Sequence, residues 1–259
     1  MRILPCIAVT MAVGAFAAPA QQTPSVDDEV ARLFAYARDY HNRLPSLECD
    51  ESIDSQQVKN GKIKWEVKVE AVLSEVRDPK ISDGFRDSYQ FKTVNGKPPG
   101  KSFKIPYLVQ GAFPNAIGFA DESQKNCFDY KLSQEDGGAT LSLELAAKPP
   151  SSNPACKDVF EDYRKIVLID VASGAVKHVT RTMSPAAARK HHETPFASID
   201  YAPQSLGDLT LWLPTHLESH DEKDEGRMQA SFSNYHRFAA KVTILPDIKE
   251  VPPGGVGKP

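Results

Sequence analysis

The chain has 259 residues, of which 41% are apolar and 25% charged, and it contains 20 prolines and 15 glycines. This composition is typical of a globular protein, and it excludes a collagen, a coiled coil and a fully disordered chain. The formal net charge of −3 argues against nucleic-acid binding through a broad basic surface, so we expect no nucleic-acid partner.

The first twenty residues have the pattern of a signal peptide. Arg2 supplies the positive charge, an uncharged apolar run extends from Ile3 to Ala17, and Ala18-Pro19-Ala20 fits a small-residue cleavage site. The run is shorter than the roughly 20 residues that span a bilayer. We therefore expect residues 1–20 to be removed and the remaining chain to be exported, to the periplasm or outside the cell, without a membrane span. Cleavage at Ala17 and an uncleaved anchor are the alternatives.

Loss of the signal peptide removes Cys6 and leaves three cysteines, Cys49, Cys127 and Cys156. Disulfides form and persist in the oxidising compartments that exported proteins enter. Cys127 and Cys156 flank a predicted hairpin and the loop after it, and we predict that these two form a disulfide. Three buried thiols are the alternative. Because three is an odd number, at least one thiol is left over.

The segment Val26–Leu44 is predicted to be an amphipathic helix. Its apolar residues recur at steps of three and four, which places them on one face. Ser25 is a suitable N-cap, and the acidic residues of the first turn suit the positive end of the helix dipole. Pro45 ends the helix.

After Pro45 the apolar residues recur at every second position, which is the period of a strand with one buried face. The clearest example runs from Ile63 to Leu73, and Asn60-Gly61 before it predicts a tight hairpin to the segment Leu47–Val58. The other predicted strands are Phe85–Val94, Asn126–Leu132, Ala139–Ala146, Val159–Val171, Val176–Met183, Phe196–Tyr201, Leu209–Glu218 and Arg227–Ile244.

About nine to eleven strands joined by short turns predict one large antiparallel sheet. The predicted fold class is mainly β (α+β), a curved sheet or half-open β-barrel that the N-terminal helix covers. The segment Ile105–Ala120 is apolar without alternation and is interpreted as a short helix or a packed loop. We expect a single domain over residues 21–246 and a flexible tail over residues 247–259.

The sequence contains no motif of a catalytic or cofactor site, and we expect neither a catalytic residue nor a cofactor. The feature of the sequence that points to a function is instead the apolar face of the predicted sheet. If the helix covers only part of that face, an apolar concavity remains that suits a lipid. The residues predicted to line it are Trp65, Val67, Val69, Phe91, Leu141, Leu143, Leu211, Leu213 and Phe232. Side chains that fill the space themselves are the alternative.

His216, Glu218 and His220 are the best metal candidates in the sequence. In a strand they share one face, but the two histidines are then about 13 Å apart, too far for one zinc ion. An exposed strand face explains these residues more simply, so we expect no metal site. The polar run Arg189–Glu193 is interpreted as a solvated loop.

Several short stretches resemble exported bacterial proteins with the outer-membrane lipoprotein-sorting (LolA-like) fold. The main one is the hairpin Tyr163–Val179, with its Asp170-x-x-x-Gly174 turn. The others are Leu44–Cys49, Gln110–Phe119, Leu211–Glu218 and Phe232–Phe238. The resemblance covers about residues 26–246, and its motifs mark turns and strand pairing, so it transfers no catalytic residue.

This resemblance implies a half-open β-barrel whose hollow holds acyl chains or other lipids. The leading functional hypothesis is therefore an exported, non-enzymatic binding protein with an apolar concavity for a lipid or an acylated partner. The alternatives are a cell-envelope interaction module with a filled core and, more remotely, a metal-dependent hydrolase. The sequence departs from the carriers of this fold by having one long predicted helix where they have several lid helices, and by Ala175 and His178 in the hairpin.

Overall fold

The computed structural model describes residues 24–78, 84–100, 118–149, 162–191, 194–221 and 226–237, together with residues 80, 156 and 159. The predicted signal peptide, the predicted tail and residues 105–117 of the apolar segment lie outside the described residues. Those three predictions, and the single-domain prediction, therefore stay predictions.

The N-terminal helix, α1, spans Val26–Arg43, so its predicted end at Leu44 is one residue late. Ser25 caps it by accepting a hydrogen bond from the Asp28 amide at 3.1 Å, as its side chain and position predict. The Leu44 amide donates to the Tyr40 carbonyl at 3.0 Å and completes the last turn. One face of the helix is buried, through Val30, Leu33, Phe34, Ala37 and Tyr40.

Ten strands form one antiparallel sheet in the described part of the chain, in the order β3-β2-β1-β10-β9-β8-β7-β6-β5-β4. Strands β3 and β4 are the two edges and are not paired with each other, so the sheet does not close. The predicted fold class, a large open antiparallel sheet with an N-terminal helix, is confirmed. The strands are β1 Leu47–Lys59, β2 Lys62–Arg77, β3 Phe85–Val94, β4 Phe128–Glu135, β5 Thr140–Ala147, β6 Arg164–Asp170, β7 Val176–Thr182, β8 Phe196–Leu206, β9 Leu209–His220 and β10 Gly226–Arg237.

The connections are mostly the short turns that the sequence predicts. Asn60 and Gly61 join β1 to β2 with φ of 52° and 68°, which is the left-handed backbone that this dipeptide favours. Gly174 has a φ of 69° in the turn between β6 and β7, and the Asp170 side chain accepts hydrogen bonds there from the amide and the hydroxyl of Ser173. These local turns set the register of each hairpin.

A short helix, α2, spans Pro185–His191 between β7 and β8. The interpretation of Arg189–Glu193 as a loop was wrong for its first three residues. The reason lies just upstream, where Pro185 suits the first turn of a helix and the alanines that follow it are strong helix formers. The Ser184 hydroxyl accepts a hydrogen bond from the Ala187 amide at 3.2 Å and caps this end.

The core lies between α1 and the inner face of the sheet, which is the face on which alternate strand residues are buried. On β1 these residues are Leu47, Cys49, Glu51, Ile53 and Ser55. The opposite, outer face carries charged and polar side chains that pair across strands. Lys92 on β3 contacts Asp50 on β1 at 2.6 Å, for example.

Cys127 and Cys156 form a disulfide with a Cα–Cα distance of 5.5 Å, and Cys49 is a buried free thiol. Cys127 and Cys156 are the predicted pair. The bond connects the start of β4, an edge of the sheet, to the segment that leads to β6.

Replacing both Cys127 and Cys156 by alanine is expected to lower the free energy of unfolding by about 3.5 kcal/mol, because the bond restricts the unfolded chain over 29 residues. Denaturant unfolding of the wild type and the variant, each with and without reductant, measures this change. Reductant should destabilise the wild type alone. Equal sensitivity of the two proteins would contradict the prediction.

Candidate functional site

Helix α1 meets the inner face of the sheet through a cluster of four aromatic side chains, which we call the aromatic partition. It consists of Tyr36 and Tyr40 of α1, Phe119, and Tyr201 of β8. Phe119 is at its centre, with ring centroids 5.8 Å from Tyr36, 5.7 Å from Tyr40 and 6.2 Å from Tyr201. These packed rings fill part of the space between the helix and the sheet.

A cavity of about 840 Å³, here called the main cavity, lies between the N-terminal half of α1 and the turns β4–β5 and β6–β7. The apolar side chains along it come from both layers: Leu33 and Tyr36 from α1, Leu141 from β5 and Ile169 from β6. This volume is within the range of small-molecule and lipid sites. Gly137, Gly138 and Gly174 at the two turns also border it.

Three acidic side chains at the main cavity accept hydrogen bonds from neighbouring residues. Glu29 is only 3% exposed, and its carboxylate accepts a hydrogen bond from the Arg32 guanidinium at 2.6 Å. Asp28 accepts from the Ser25 hydroxyl at 2.7 Å. Hydrogen bonds from Ser173 hold the pKa of Asp170 below its usual value, so that carboxylate stays charged at neutral pH. Charged and apolar side chains therefore both border the main cavity.

Nine residues were predicted to line an apolar concavity. All nine belong to the core of the structure or pack against it. Seven of them are buried, namely Val67, Val69, Leu141, Leu143, Leu211, Leu213 and Phe232. Trp65 and Phe91 are partly buried and pack against the same core. Leu141 also borders the main cavity. Whether the others meet a ligand stays a prediction.

Sequence reasoning missed a buried carboxyl group on the inner face. Glu51 is 2% exposed, and its Oε2 atom has no hydrogen-bond partner. Burial, with a smaller contribution from the Asp87 carboxylate, raises the pKa of Glu51 to about 8. Beside it, burial also raises the pKa of the Cys49 thiol. The signal was present in the sequence, because Glu51 falls in the buried phase of the β1 alternation.

The raised pKa of Glu51 makes folding depend on pH. Between about pH 4.5 and pH 8 the folded state keeps this proton and the unfolded state releases it, so stability falls as pH rises. Glu51→Gln should remove this slope and increase the free energy of unfolding by about 3 kcal/mol at pH 7. Denaturant unfolding between pH 5 and pH 8 measures the effect.

The matched control is Glu70→Gln, because Glu70 lies on the exposed face of β2, where its carboxylate accepts from Ser52 at 2.8 Å. This variant should keep the wild-type slope. A Glu51→Gln protein with the same pH dependence as the wild type would show that Glu51 titrates normally in the folded state.

His216, Glu218 and His220 lie on alternate positions of β9, between the buried residues Leu217 and Ser219. They therefore share the outer face, as the strand prediction requires. The His220 ring stacks on Phe196 with centroids 4.3 Å apart. Among the residues that the structure describes, no group of three histidine, cysteine or acidic side chains is arranged to hold a metal ion. The metal-hydrolase alternative gains no support from this arrangement.

None of the helices within the described ranges is long and apolar enough to cross a membrane.

No family model matches the sequence, and no curated protein matches it. The chain is similar to solved structures that include a DUF1329 family protein from Desulfovibrio piger (TM-score 0.45, 11% identity, covering 85% of this chain and 96% of that one). A putative outer membrane lipoprotein-sorting protein domain from Vibrio parahaemolyticus matches with a TM-score of 0.43, 11% identity and the same coverage.

A LolA superfamily protein from Nitrosomonas europaea aligns with a TM-score of 0.34 and 9% identity over 84% of this chain and 95% of that one. The fold family that the sequence resembles is thus among the matches.

Proposed function

We propose that this protein is an exported, non-enzymatic binding protein that holds the apolar part of a lipid or of an acylated partner in the main cavity. The observation that carries the proposal is the cavity itself, about 840 Å³ between one amphipathic helix and the inner face of an open sheet. Burial of an acyl chain there is favourable by roughly 0.8 kcal/mol for each methylene group.

The layout of charge supports an amphiphile as the ligand. The walls supplied by Leu33, Tyr36, Leu141 and Ile169 suit a hydrocarbon chain, and the rim at Arg32 and Asp170 can meet a polar head. The predicted signal peptide and the disulfide both agree with an exported protein, since disulfides persist in oxidising compartments.

A second candidate function, an envelope interaction module with a filled core, is favoured by one observation. Most of the residues predicted to line the concavity are buried in the core, and Val69, Leu143 and Leu213 have no exposed surface. In that case a partner protein contacts the sheet edges or the helix, and the main cavity takes no lipid.

The two functions are separated by extracting the purified protein with organic solvent and analysing the extract by mass spectrometry, then titrating the delipidated protein with a fluorescent fatty-acid probe. The proposed function predicts a co-purifying amphiphile or saturable probe binding. Absence of both would leave the interaction module as the better account.

Filling the main cavity should abolish probe binding. Ile169→Trp places a large ring beside Leu33 and Leu141, and we expect a loss of at least tenfold in probe affinity, because the ring occupies the volume that the chain needs. Fluorescence titration of the delipidated variant is the measurement.

Ile166→Trp is the matched control, since Ile166 lies on the same strand and is 39% exposed on the other face. Its affinity should stay within about twofold of the wild type. Equal loss in both variants, or in neither, would count against the main cavity as the binding site.

A further inference from the structure

Three polar side chains on the outer face of the sheet are connected by hydrogen bonds. His178 of β7 lies in the middle, with its Nδ1 atom 2.6 Å from Oδ1 of Asp200 on β8 and its Nε2 atom 2.8 Å from the Thr180 hydroxyl. His178 is also one of the residues by which the hairpin departs from the fold family that it resembles. None of the three is among the described residues that line the main cavity, so this group is a separate feature of the molecule.

The sheet itself sets this arrangement. His178 and Thr180 are two positions apart on β7, so their side chains lie on the same face. Asp200 is directly opposite His178 in the β7–β8 pairing. Directly opposed residues have Cβ atoms about 5 Å apart, which lets the carboxylate reach the ring. Because strand register positions all three groups, they are in place before any reagent binds.

The hydrogen bonds fix the position of the ring proton. A carboxylate only accepts hydrogen bonds, so Nδ1 of His178 donates to Asp200. In the neutral ring, Nε2 then accepts the hydrogen bond that the Thr180 hydroxyl donates. A hydroxyl that is bonded to a base, which a third group orients, is the arrangement that activates a nucleophile. The carboxylate also stabilises the positive charge that the ring gains when it takes the hydroxyl proton.

The surroundings of the Thr180 hydroxyl suit a reactive ester. The His178 side chain is 27% exposed and that of Asp200 is 53% exposed, so a reagent reaches the group from solvent. Ser198 of β8 is directly opposite Thr180. At this distance its hydroxyl can donate a hydrogen bond to the oxygen that becomes negative when a nucleophile adds to a carbonyl. An open face with one such donor favours esters that have a good leaving group.

We propose that Thr180 is an acylation site, which takes the acyl group from an activated ester of a thiol or a phenol. Oγ1 of Thr180 forms a bond to the carbonyl carbon, and the bond from that carbon to the leaving group breaks. The hydroxyl proton passes to Nε2 of His178 and from there to the leaving thiolate or phenolate, so the products are an O-acyl threonine and a free thiol or phenol. The reaction modifies the chain once and is independent of the binding proposed for the main cavity.

Incubation of the full, disulfide-bonded chain with p-nitrophenyl acetate at neutral pH tests this proposal. Acyl transfer releases coloured p-nitrophenolate, and digestion followed by mass spectrometry locates the acetyl groups. We expect acetylation of Thr180 to be at least tenfold faster than acetylation of any other threonine, because only an activated hydroxyl reacts quickly. Acetyl groups that are confined to lysines, or that are found on His178 or Ser198 instead of Thr180, would overturn the proposal.

Variants at position 180 test the hydroxyl itself. Thr180→Val removes the hydroxyl and should abolish acetylation at this position, whereas Thr180→Ser should retain it. Thr182→Val is the matched control, since Thr182 lies on the same face of β7 and is opposite Phe196 in the β7–β8 pairing. The control should acetylate Thr180 within about twofold of the wild-type rate. A folded Thr180→Ser protein that gains no acetyl group at position 180 would contradict the proposal.

Variants of the two other residues test their roles as base and positioning residue. His178→Gln should slow acetylation of Thr180 at least tenfold, because the hydroxyl then lacks its base. Asp200→Asn should slow it similarly, since an amide that donates to Nδ1 moves the ring proton to Nε2, and Asp200→Glu should restore part of the rate. Denaturant unfolding of the same proteins separates this rescue from a change in stability.

Wild-type rates in both His178→Gln and Asp200→Asn would overturn the proposal, because Thr180 would then react without the base and the group that orients it. If a variant fails to fold, the position of the acetyl group on the wild-type chain still decides the question.

Discussion

Burial of the apolar face of α1 against the inner face of the sheet is the interaction on which the rest of this structure depends. Five side chains, from Val30 to Tyr40, leave water in this contact, and together they contribute on the order of 10 kcal/mol. Arg77 of β2 holds the C-terminal end of α1, because its guanidinium donates a hydrogen bond to the Leu44 carbonyl at 2.8 Å. An open sheet of ten strands needs such a cover, because its inner face is otherwise an exposed apolar surface.

The same contact explains why hollows remain beside a packed core. One helix is narrower than the face of a large sheet, so it packs closely at the aromatic partition and leaves space at its flanks. Beside the N-terminal half of α1, the two turns contribute glycines, which have no side chain. Leu33, Leu141 and Ile169 therefore supply apolar lining there. Phe119 of the aromatic partition borders a second, smaller hollow of about 90 Å³.

Periodicity and turn residues were enough to predict most of the fold. The helix, the Asn60-Gly61 hairpin and the antiparallel pairing of successive strands follow from local patterns, and the disulfide from cysteine positions. The pairing of β1 with β10 joins the two ends of the chain, and no local pattern predicts it. The helix Pro185–His191 was not predicted, because its polar C-terminal residues were interpreted as part of a solvated loop and the helix-forming alanines before them were not considered. The sites were harder to predict, because His178 and Asp200 meet only through strand register. A single sequence gives the alternation within each strand, while register depends on the whole sheet.

Hydrogen–deuterium exchange of the delipidated chain, with and without laurate, tests most directly whether a ligand binds in the space between α1 and the sheet. We predict slower exchange in the N-terminal half of α1 and in the turns around Gly137 and Gly174, because these segments border the main cavity. Exchange that is unchanged there, or slowed only on the outer face of the sheet, would contradict the claim.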